Sequence, residues 1–378
     1  MVIKTTDDMK TNRYDDTGVR RRYRLLLSFI GAVSMVMVIF AVSYAFNGSH
    51  LDPNKVPEGC NACHKGHGKR ATAMLESSKG ELCFKCHGSI KNKKKGEAKT
   101  DIYSVMRKKS NHPVFDTAQY HLSGEQLPEK SAATPRHVAC YDCHNPHKTT
   151  ITKTFDGVRG YAGRDKTMKE AQKEYQVCYR CHADSANLPA ASRNVANEFD
   201  PANASFHPIE AVGKNRSVPS LKKSLSVSHT INCSDCHGND DQYGPKGPHG
   251  SNFDFLLKDN YNRDPGIESA FSYELCYQCH ERSSILADES FRSHKRHVNY
   301  GNASCYSCHT SHGSRTYENL ISFDKKIVFP NSAGQLSYLK LLPGKPRCYL
   351  KCHVNGRDFD HKTTDAKYCI NTYCVPGW

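Results

Sequence analysis

A long uncharged stretch lies near the N-terminus of the chain, over residues 25–46. It is long enough to cross a bilayer as a helix, because roughly 20 apolar residues suffice. An arginine-rich segment at residues 20–24 precedes it, and the small residues Ser43 and Ala45 stand near its end, an order that also fits a cleaved secretory signal. Residues 1–46 are therefore either a signal peptide or an N-terminal membrane anchor with its arginines on the cytoplasmic side. Both interpretations predict that the rest of the chain is exported.

The remainder of the chain is polar. Hydrophobic residues make up only 37% of the whole sequence, and the mean hydropathy is −0.69. Soluble domains usually contain about 45–50% apolar residues, so the side chains alone provide little hydrophobic core. Gly, Pro, Asn and Ser between the motifs described below favour turns. The pattern predicts short helices at the motifs, long loops and few strands.

Cysteine and histidine are enriched, with 18 Cys and 21 His in 378 residues. This content excludes an ordinary cytosolic enzyme and indicates a scaffold held by bonds or bound groups. Seven segments read C-x-x-C-H, the signature of covalent c-type haem attachment. Zinc sites also use C-x-x-C pairs but do not require the adjacent His. The motif cysteines are Cys60, Cys63, Cys83, Cys86, Cys140, Cys143, Cys178, Cys181, Cys233, Cys236, Cys276, Cys279, Cys305 and Cys308, and the histidines that follow them are His64, His87, His144, His182, His237, His280 and His309.

The spacing of this motif suits the chemistry of haem attachment. On one helical turn the residues at i and i+3 share a face, so two thiols can reach the two vinyl groups along one haem edge. The adjacent His lies on the same side and can bind the iron as its proximal ligand. Each motif therefore fixes both the porphyrin and one iron ligand.

An eighth segment, from Cys348 to His353, has three residues between its cysteines. Helical positions i and i+4 also share a face, so thioether bonds to Cys348 and Cys352 remain feasible, with His353 as the proximal ligand once the turn loosens. The alternative is a structural zinc site or disulfide cluster that includes Cys369 and Cys374. We expect eight haem c groups, or seven if this segment binds none. With eight haems, Cys369 and Cys374 are expected to form a disulfide, because the exported compartment is oxidising.

The motifs fall into four pairs. In three pairs the leading motif is followed three residues on by His67, His147 or His312, and every trailing motif has an aromatic residue after its first cysteine. Such self-similarity indicates a repeated unit. We expect four di-haem modules at residues 47–111, 112–206, 207–293 and 294–378, the last with the C-terminal cysteine pair.

The chain resembles the multihaem c-type cytochromes of the doubled C-x-x-C-H motif family, which are envelope electron-transfer proteins. In that family an upstream His precedes a first motif with a further His three residues on, and a second motif follows a variable insert. His137, the motif 140–144, His147 and the motif 178–182 follow this order. The fifth motif lacks the following His, and His249 is the candidate substitute. The resemblance implies a multihaem cytochrome c fold, elongated and haem-packed, with mostly loops, short helices and few strands.

Histidine is the expected sixth ligand of the haem irons. Eight of the 21 His belong to motifs, which leaves thirteen, whereas Met74, Met106 and Met168 are the only methionines outside the leader. Bis-His ligation is therefore the economical assignment, and the resemblance then implies low reduction potentials. The favoured distal ligands are His67, His112, His137, His147, His207, His229, His297 and His312, with His50, His121 and His361 ranked behind them.

The histidines three residues after a motif have a particular expected role. His67, His147 and His312 each lie about one helical turn beyond a proximal His. Such a side chain points away from the iron of its own haem, whose sixth position is on the far side of the porphyrin. Each is expected to bind the iron of a neighbouring haem, which would make folding depend on haem insertion.

The net charge of +15 taken alone suggests nucleic acid or an anionic surface. Each haem brings two propionates, however, so the basic excess is better explained as balance for the cofactor than as nucleic-acid binding. A lysine cluster at residues 91–99 is either a solvated loop or a docking site for an acidic redox partner. The expected partners are other redox proteins of the envelope, such as donor and acceptor cytochromes or a quinol oxidase. The sequence does not indicate a homopolymer.

Two function classes remain open, an electron-transfer protein and a multihaem reductase acting on nitrite, hydroxylamine or a sulfur oxyanion. A reductase needs an iron with an open position, which some relatives mark with Lys in place of the motif His, and no C-x-x-C-K occurs in the sequence. The sequence therefore predicts an electron carrier without catalytic residues. We expect it in the periplasm or at the outer cell surface, and the resemblance implies a role in anaerobic or metal respiration. If residues 25–46 are retained, a membrane-anchored quinol-oxidising cytochrome is a further alternative.

Overall fold

Short helices and small strand pairs make up the fold, as the sequence predicts. The computed structural model describes residues 26–28, 48–66, 74–77, 79–88, 100–115, 127, 136–161, 167–184, 187–188, 192–342, 345–354 and 357–361. Its helices are α1 (Lys79–His87), α2 (Ile102–Val105), α3 (Cys140–Cys143), α4 (Glu174–His182), α5 (Val195–Glu198), α6 (Glu274–Tyr277), α7 (Arg282–Leu286) and α8 (Cys305–Cys308). Turns of 3₁₀ helix lie at Ser49–Leu51, Gly59–Ala62, Cys233–Asp235 and Asp254–Leu256, and a π-helical turn lies at Arg296–Tyr300.

The seven regular motifs lie on these helical turns. In the motifs that begin at Cys60 and Cys305, the backbone N–H of the motif histidine donates to the carbonyl of that first cysteine at 2.9 Å. A residue inside the motif can also close the turn, since the backbone N–H of Ala139 donates to the carboxylate of Asp142 at 2.8 Å. The two thiols of each motif are thereby held one turn apart.

The strands pair antiparallel throughout the described part of the chain. They are β1 (Ser110–Asn111), β2 (Arg159–Tyr161), β3 (Met168–Glu170), β4 (Ser205–Phe206), β5 (Gly250–Ser251), β6 (Gly313–Ser314), β7 (Val328–Phe329), β8 (Ser337–Leu342), β9 (Lys345–Val354) and β10 (Arg357–His361). Two-stranded ribbons form from β1 with β5, β2 with β3, and β4 with β6. A four-stranded sheet has β9 at its centre, paired with β7, β8 and β10.

The prediction of a helical turn at the eighth motif is wrong, because residues 348–353 lie within β9. Because of the extra residue, the second cysteine is four positions after the first, instead of three as in the regular motifs. The extra residue also makes the less polar positions, Cys348, Leu350 and Cys352, alternate with Tyr349 and Lys351. A period of two is the pattern of a strand with one buried face.

The hydrophobic core of the described residues is small and divided into three clusters. One cluster lies in the four-stranded sheet, and the other two involve α4 and its neighbours. Their buried members are Ile327, Val328 and Leu350; Val158, Ala171 and Val177; and Tyr179, Ala183 and Ala196. This division agrees with the low hydrophobic content of the sequence.

Some predicted features lie outside the described residues. These are His67, His121, Cys369, Cys374 and the lysines of residues 91–99, together with most of residues 1–46. Among the helices that the structure describes, none is both long enough and apolar enough to span a membrane.

Candidate haem centres

Histidine rings meet in pairs in the described part of the chain. Their ring centroids lie 5.9–6.3 Å apart, and in all but one pair one ring belongs to a motif histidine. The pairs are His50–His87 (5.9 Å), His64–His147 (6.1 Å), His112–His182 (6.3 Å), His144–His249 (6.0 Å), His237–His312 (6.3 Å), His294–His309 (6.3 Å) and His297–His361 (6.2 Å).

This spacing is that of two imidazoles bound to one metal ion from opposite sides. Imidazole–metal bonds are roughly 2.0–2.1 Å long, and the ring centre lies about 1.1 Å beyond the nitrogen, so two axial ligands have centroids about 6.2 Å apart. The residues of each pair therefore fit the two axial positions of a haem iron.

A further pair accompanies the sixth motif. Burial lowers the pKa of His280 to about 4, and after burial the largest contribution comes from the nearby His207. Each of the seven regular motifs thus has a second histidine close to its own.

Hydrogen bonds donated by Nδ1–H orient the rings. The acceptor is a backbone carbonyl, at 2.6–3.1 Å, for His50 (Pro146), His112 (Pro248), His144 (Thr154), His207 (Ser311), His237 (Phe255), His297 (Ser293) and His309 (Asn319). For His312 the acceptor is the carboxylate of Glu198, at 2.5 Å. Metal-bound histidines use their second N–H in this way, which fixes the tautomer and directs Nε2 to the metal.

Burial also keeps several of these imidazoles neutral. It lowers the pKa of His182 and of His249 to about 4, and that of His294 to about 3. The positively charged form is disfavoured because it loses its hydration on burial. Only the neutral ring has a lone pair available for iron, so these sites favour the ligating form.

Two strand ribbons each bring a pair of non-motif histidines together. The strand β1 ends directly before His112 and pairs with β5, which begins directly after His249. In the same way β4 ends before His207 and pairs with β6, which begins after His312. Both ribbons join the sequence Ser-x-His-Pro to the sequence His-Gly-Ser. We call each such arrangement a histidine clasp.

A third clasp joins residues 48–50 to residues 147–149. The backbone N–H of Gly48 donates to the carbonyl of His147 at 3.0 Å, and that of Ser49 donates to the carbonyl of Thr149 at 2.9 Å. In all three clasps, Nδ1 of the first histidine donates to the carbonyl of the residue directly before the second histidine. The acceptors are Pro146, Pro248 and Ser311.

Each clasp provides the second histidines for both motifs of one pair. The clasp of His50 and His147 serves His64 and His87, that of His112 and His249 serves His144 and His182, and that of His207 and His312 serves His237 and His280. One histidine of each clasp precedes the motif pair that it serves, and the other comes from the next motif pair. Consecutive motif pairs are therefore interlocked.

The cysteines of consecutive motifs interact, and the interactions alternate between two types. Between motif pairs the first cysteines hydrogen-bond, and within a motif pair the second cysteines interact electrostatically. In chain order the interacting cysteines are Cys63–Cys86, Cys83–Cys140, Cys143–Cys181, Cys178–Cys233, Cys236–Cys279, Cys276–Cys305 and Cys308–Cys352. This series of cysteine interactions therefore extends to the widened eighth motif.

Zinc matches these thiols poorly. A structural zinc ion is bound by four Cys or His ligands. Within the described residues, one group of three side chains has its potential ligand atoms close enough together to hold a metal ion. It consists of Glu174, Cys178 and Cys233. That group takes one cysteine from each of two motifs, whereas covalent haem attachment uses both cysteines of every motif.

Comparisons with known families agree with the geometry. Residues 162–320 match the model described as outer membrane cytochrome MtrC/MtrF-like, domains II/IV. Residues 54–92 and 134–187 match the doubled CXXCH motif. The chain is a multihaem c-type cytochrome. No curated protein and no solved structure matches it.

The predicted distal histidines of the cytochrome lie in different surroundings. His112, His147, His207 and His312 lie close to motif histidines, and His297 lies beside His361. The rings of His147 and His312 adjoin motif histidines of the preceding pair, as expected of ligands to a neighbouring haem. His137 is buried, with 4% of its surface exposed, and His229 is exposed. The ligand roles of all the predicted distal histidines stay predictions.

The structure adds three histidines to those favoured from the sequence of the cytochrome. His50, His249 and His294 lie beside His87, His144 and His309. The His-Gly-Ser sequence that His249 shares with His312 was a usable signal for its role. His294 has no such signal, because its ring partner is known only once the π-helical turn is in place.

Proposed function

We propose that this cytochrome carries eight c-type haems, each bound by both cysteines of one motif, and conducts electrons through them in chain order. The alternating cysteine interactions, which include a hydrogen bond at each junction between motif pairs, are the observation that carries this proposal. Thioether bonds join these cysteines to the haem edge, so neighbouring cysteines bring neighbouring haem edges together. A row of haems with adjacent edges passes single electrons from one to the next, and it implies an elongated molecule of four di-haem modules.

The histidine pairs support an electron carrier over a reductase. An iron with two axial imidazoles has no open position for nitrite, hydroxylamine or a sulfur oxyanion. The ring spacing of 5.9–6.3 Å recurs at six motif histidines, and His207 lies near the seventh. Bis-His ligation favours low reduction potentials, as in anaerobic or metal respiration.

The MtrC/MtrF-like match over residues 162–320 supports an exported protein at the outer membrane or cell surface. Other redox proteins of the envelope are then its electron donors and acceptors. Whether residues 25–46 are removed decides between a released protein and one tied to the inner membrane. Sequencing the N-terminus of the native protein distinguishes these two states.

The haem count tests the proposal directly. The intact mass of the denatured native protein should exceed that of the polypeptide by eight haem masses. Seven haems would remove residues 348–353 from the row and revive a zinc or disulfide role for that segment.

The spin state of the iron tests the carrier assignment. The resting ferric protein should show only low-spin signals in electron paramagnetic resonance, because every iron has two nitrogen ligands. A substantial high-spin signal together with nitrite reduction at enzymic rates would contradict the proposal and indicate a reductase.

A further inference from the structure

The widened eighth motif presents its cysteines and its histidine on opposite faces of a strand. Cys348 and Cys352 stand four residues apart on β9, and His353 directly follows Cys352. Side chains alternate between the two faces of a strand. The two cysteines therefore share one face, and His353 points to the other.

Burial distinguishes the two faces of this sheet. The residues directly opposite Cys352 and Cys348 are Val328 and Tyr338, which are 1% and 7% exposed. On the other face, Phe329 and Leu339 are 37% and 45% exposed. Directly opposed residues of antiparallel strands share a face, so the cysteines face the core and His353 faces solvent. His353 is accordingly exposed.

The neighbouring strand places a different histidine on the cysteine face. His361 of β10 stands directly opposite Leu350 of β9, which lies between the two cysteines and is 4% exposed. Because opposed residues share a face, His361 projects on the side of the two thiols. Its ring lies 6.2 Å from that of His297, with 23° between the ring planes. This is the spacing of two axial imidazoles.

His297 is held as a ligand would be. Its Nδ1 donates to the carbonyl of Ser293 at 2.7 Å, as the second N–H of metal-bound histidines commonly does. In the three other trailing motifs, the motif histidine lies close to a histidine upstream of the motif pair, namely His50, His112 or His207. His297 has that upstream place in the last motif pair, but its ring partner is His361.

We propose that the iron of the eighth haem is bound by His297 and His361, with thioether bonds to Cys348 and Cys352, and that His353 is not an iron ligand. This inference rests on the proposed octahaem function. The residue added between the cysteines changes a helical turn into a strand and turns the motif histidine away from the haem. The antiparallel return strand β10 then provides the missing imidazole eight residues later.

The test compares His361→Gly with His353→Gly in the full-length haem-loaded protein. The intact mass gives the number of attached haems, and electron paramagnetic resonance gives the share of high-spin iron per attached haem. In His361→Gly we expect eight haems and a rise in high-spin iron from none to about one haem in eight. Added imidazole should restore the low-spin state, which also shows that the variant is folded. In His353→Gly every attached haem should remain low-spin.

Two results would overturn the ligand assignment. One is an unchanged low-spin spectrum in His361→Gly with all eight haems attached. The other is imidazole-reversible high-spin iron in His353→Gly. A count of seven haems in the unmodified protein has a different meaning, because it contradicts the octahaem proposal itself. The failure of the one proposal is thus distinguishable from the failure of the other.

Discussion

At the scale of single residues, the acceptor of each Nδ1–H would tune an iron bound by that ring. Most of the histidines described above donate to backbone carbonyls, but His312 donates to the carboxylate of Glu198, which also pairs with Arg193 at 2.6 Å. A charged acceptor makes the imidazole a more basic ligand and stabilises the ferric state. If His312 and His237 bind the iron of one haem, as proposed, that haem should have one of the lower potentials of the haem row.

Replacing Glu198 with Gln should raise the potential of that haem. Hydrogen bonds to charged groups exceed neutral ones by about 1 kcal/mol, which corresponds to roughly 40 mV for one electron. A spectroelectrochemical titration would measure the shift. Asp200→Asn is the matched control, because Asp200 carries the same charge nearby but accepts from the backbone of Ala202. Equal titration curves for both variants would refute the role of Glu198.

The substitution His147→Met tests ligation between motif pairs. The ring of His147 lies 6.1 Å from that of His64, so the thioether should become the sixth ligand of the haem at Cys60 and Cys63. Methionine raises the potential of the iron. One haem should shift upward while the haem at Cys140 and Cys143 stays attached, as intact mass and redox titration would show. Ile151→Met is the control, because it adds a methionine to the same segment at a position that is 84% exposed. An unchanged titration of His147→Met would show that His147 is not a ligand.

At the scale of elements, the clasps are ribbons too short to be stable alone, since an isolated two-stranded hairpin is marginal even at full length. The strands β4 and β6 each contain two residues, yet they position His207 and His312. Close backbone approach requires glycine at one position, because a Cβ on Gly313 would collide with the carbonyl oxygen of Glu198. The same contact recurs at Gly250, where a Cβ would collide with the carbonyl of Val105.

Gly313→Ala should open the clasp of His207 and His312. Either β6 or the segment of Glu198 must move, and overpacking of this kind costs about 1–3 kcal/mol of unfolding free energy. Denaturant unfolding measures that loss, and the low-spin signal of the haem bound by His312 should broaden. Gly266→Ala is the control, because nothing lies within 4 Å of an added Cβ there. Equal stabilities for the two variants would contradict a tight clasp.

The sequence predicts the helical turns but not the clasps or the sheet, for physical reasons. The spacing of Cys140, Cys143 and His144 is set by local covalent chemistry, so it determines its own turn. A clasp such as that of His207 with His312 joins residues over 100 positions apart, and no local pattern reports that pairing. At the eighth motif the prediction of a helical turn was wrong. Less polar and more polar residues alternate around Leu350, which favours a strand, and pairing with three other strands stabilises that strand.

At the scale of the whole molecule, contacts between distant segments must hold the motifs and their haems in place, because the hydrophobic clusters are small. Lys108 follows α2, and its Nζ lies 2.6 Å from a carboxylate oxygen of Asp240, beyond the fifth motif. Both side chains are largely buried, at 19% and 15% exposure. Asn252 also donates to Asp240, at 2.9 Å. This ion pair therefore links the segment between the second and third motifs to the segment that follows the fifth motif.

Asp240→Asn should destabilise the cytochrome in a pH-dependent way. Burial raises the pKa of Asp240, but the hydrogen bonds from Lys108 and Asn252 outweigh it, and the net effect is a lowered pKa. A lowered carboxyl pKa adds stability above the unfolded value of about 3.9, and that stability is lost as the pH falls through the folded value. The variant should lose about 1–2 kcal/mol at neutral pH and progressively less as the pH falls through the folded pKa, as denaturant titrations would show. Asp264→Asn, at an exposed site, should lose little throughout this pH range. A loss that did not change with pH would exclude the ion pair as its cause.

The haems themselves should be the main source of cooperative folding. The described apolar clusters have few buried members each, and the histidine pairs attract each other only through a shared iron. The full-length chain produced without haem attachment should therefore show no cooperative unfolding transition by calorimetry, and little helical circular dichroism. The haem-loaded protein should unfold in a transition that weakens when strong imidazole solutions compete for the iron. A haem-free chain that unfolded cooperatively near the same temperature would show that the polypeptide, not the haem row, specifies the fold.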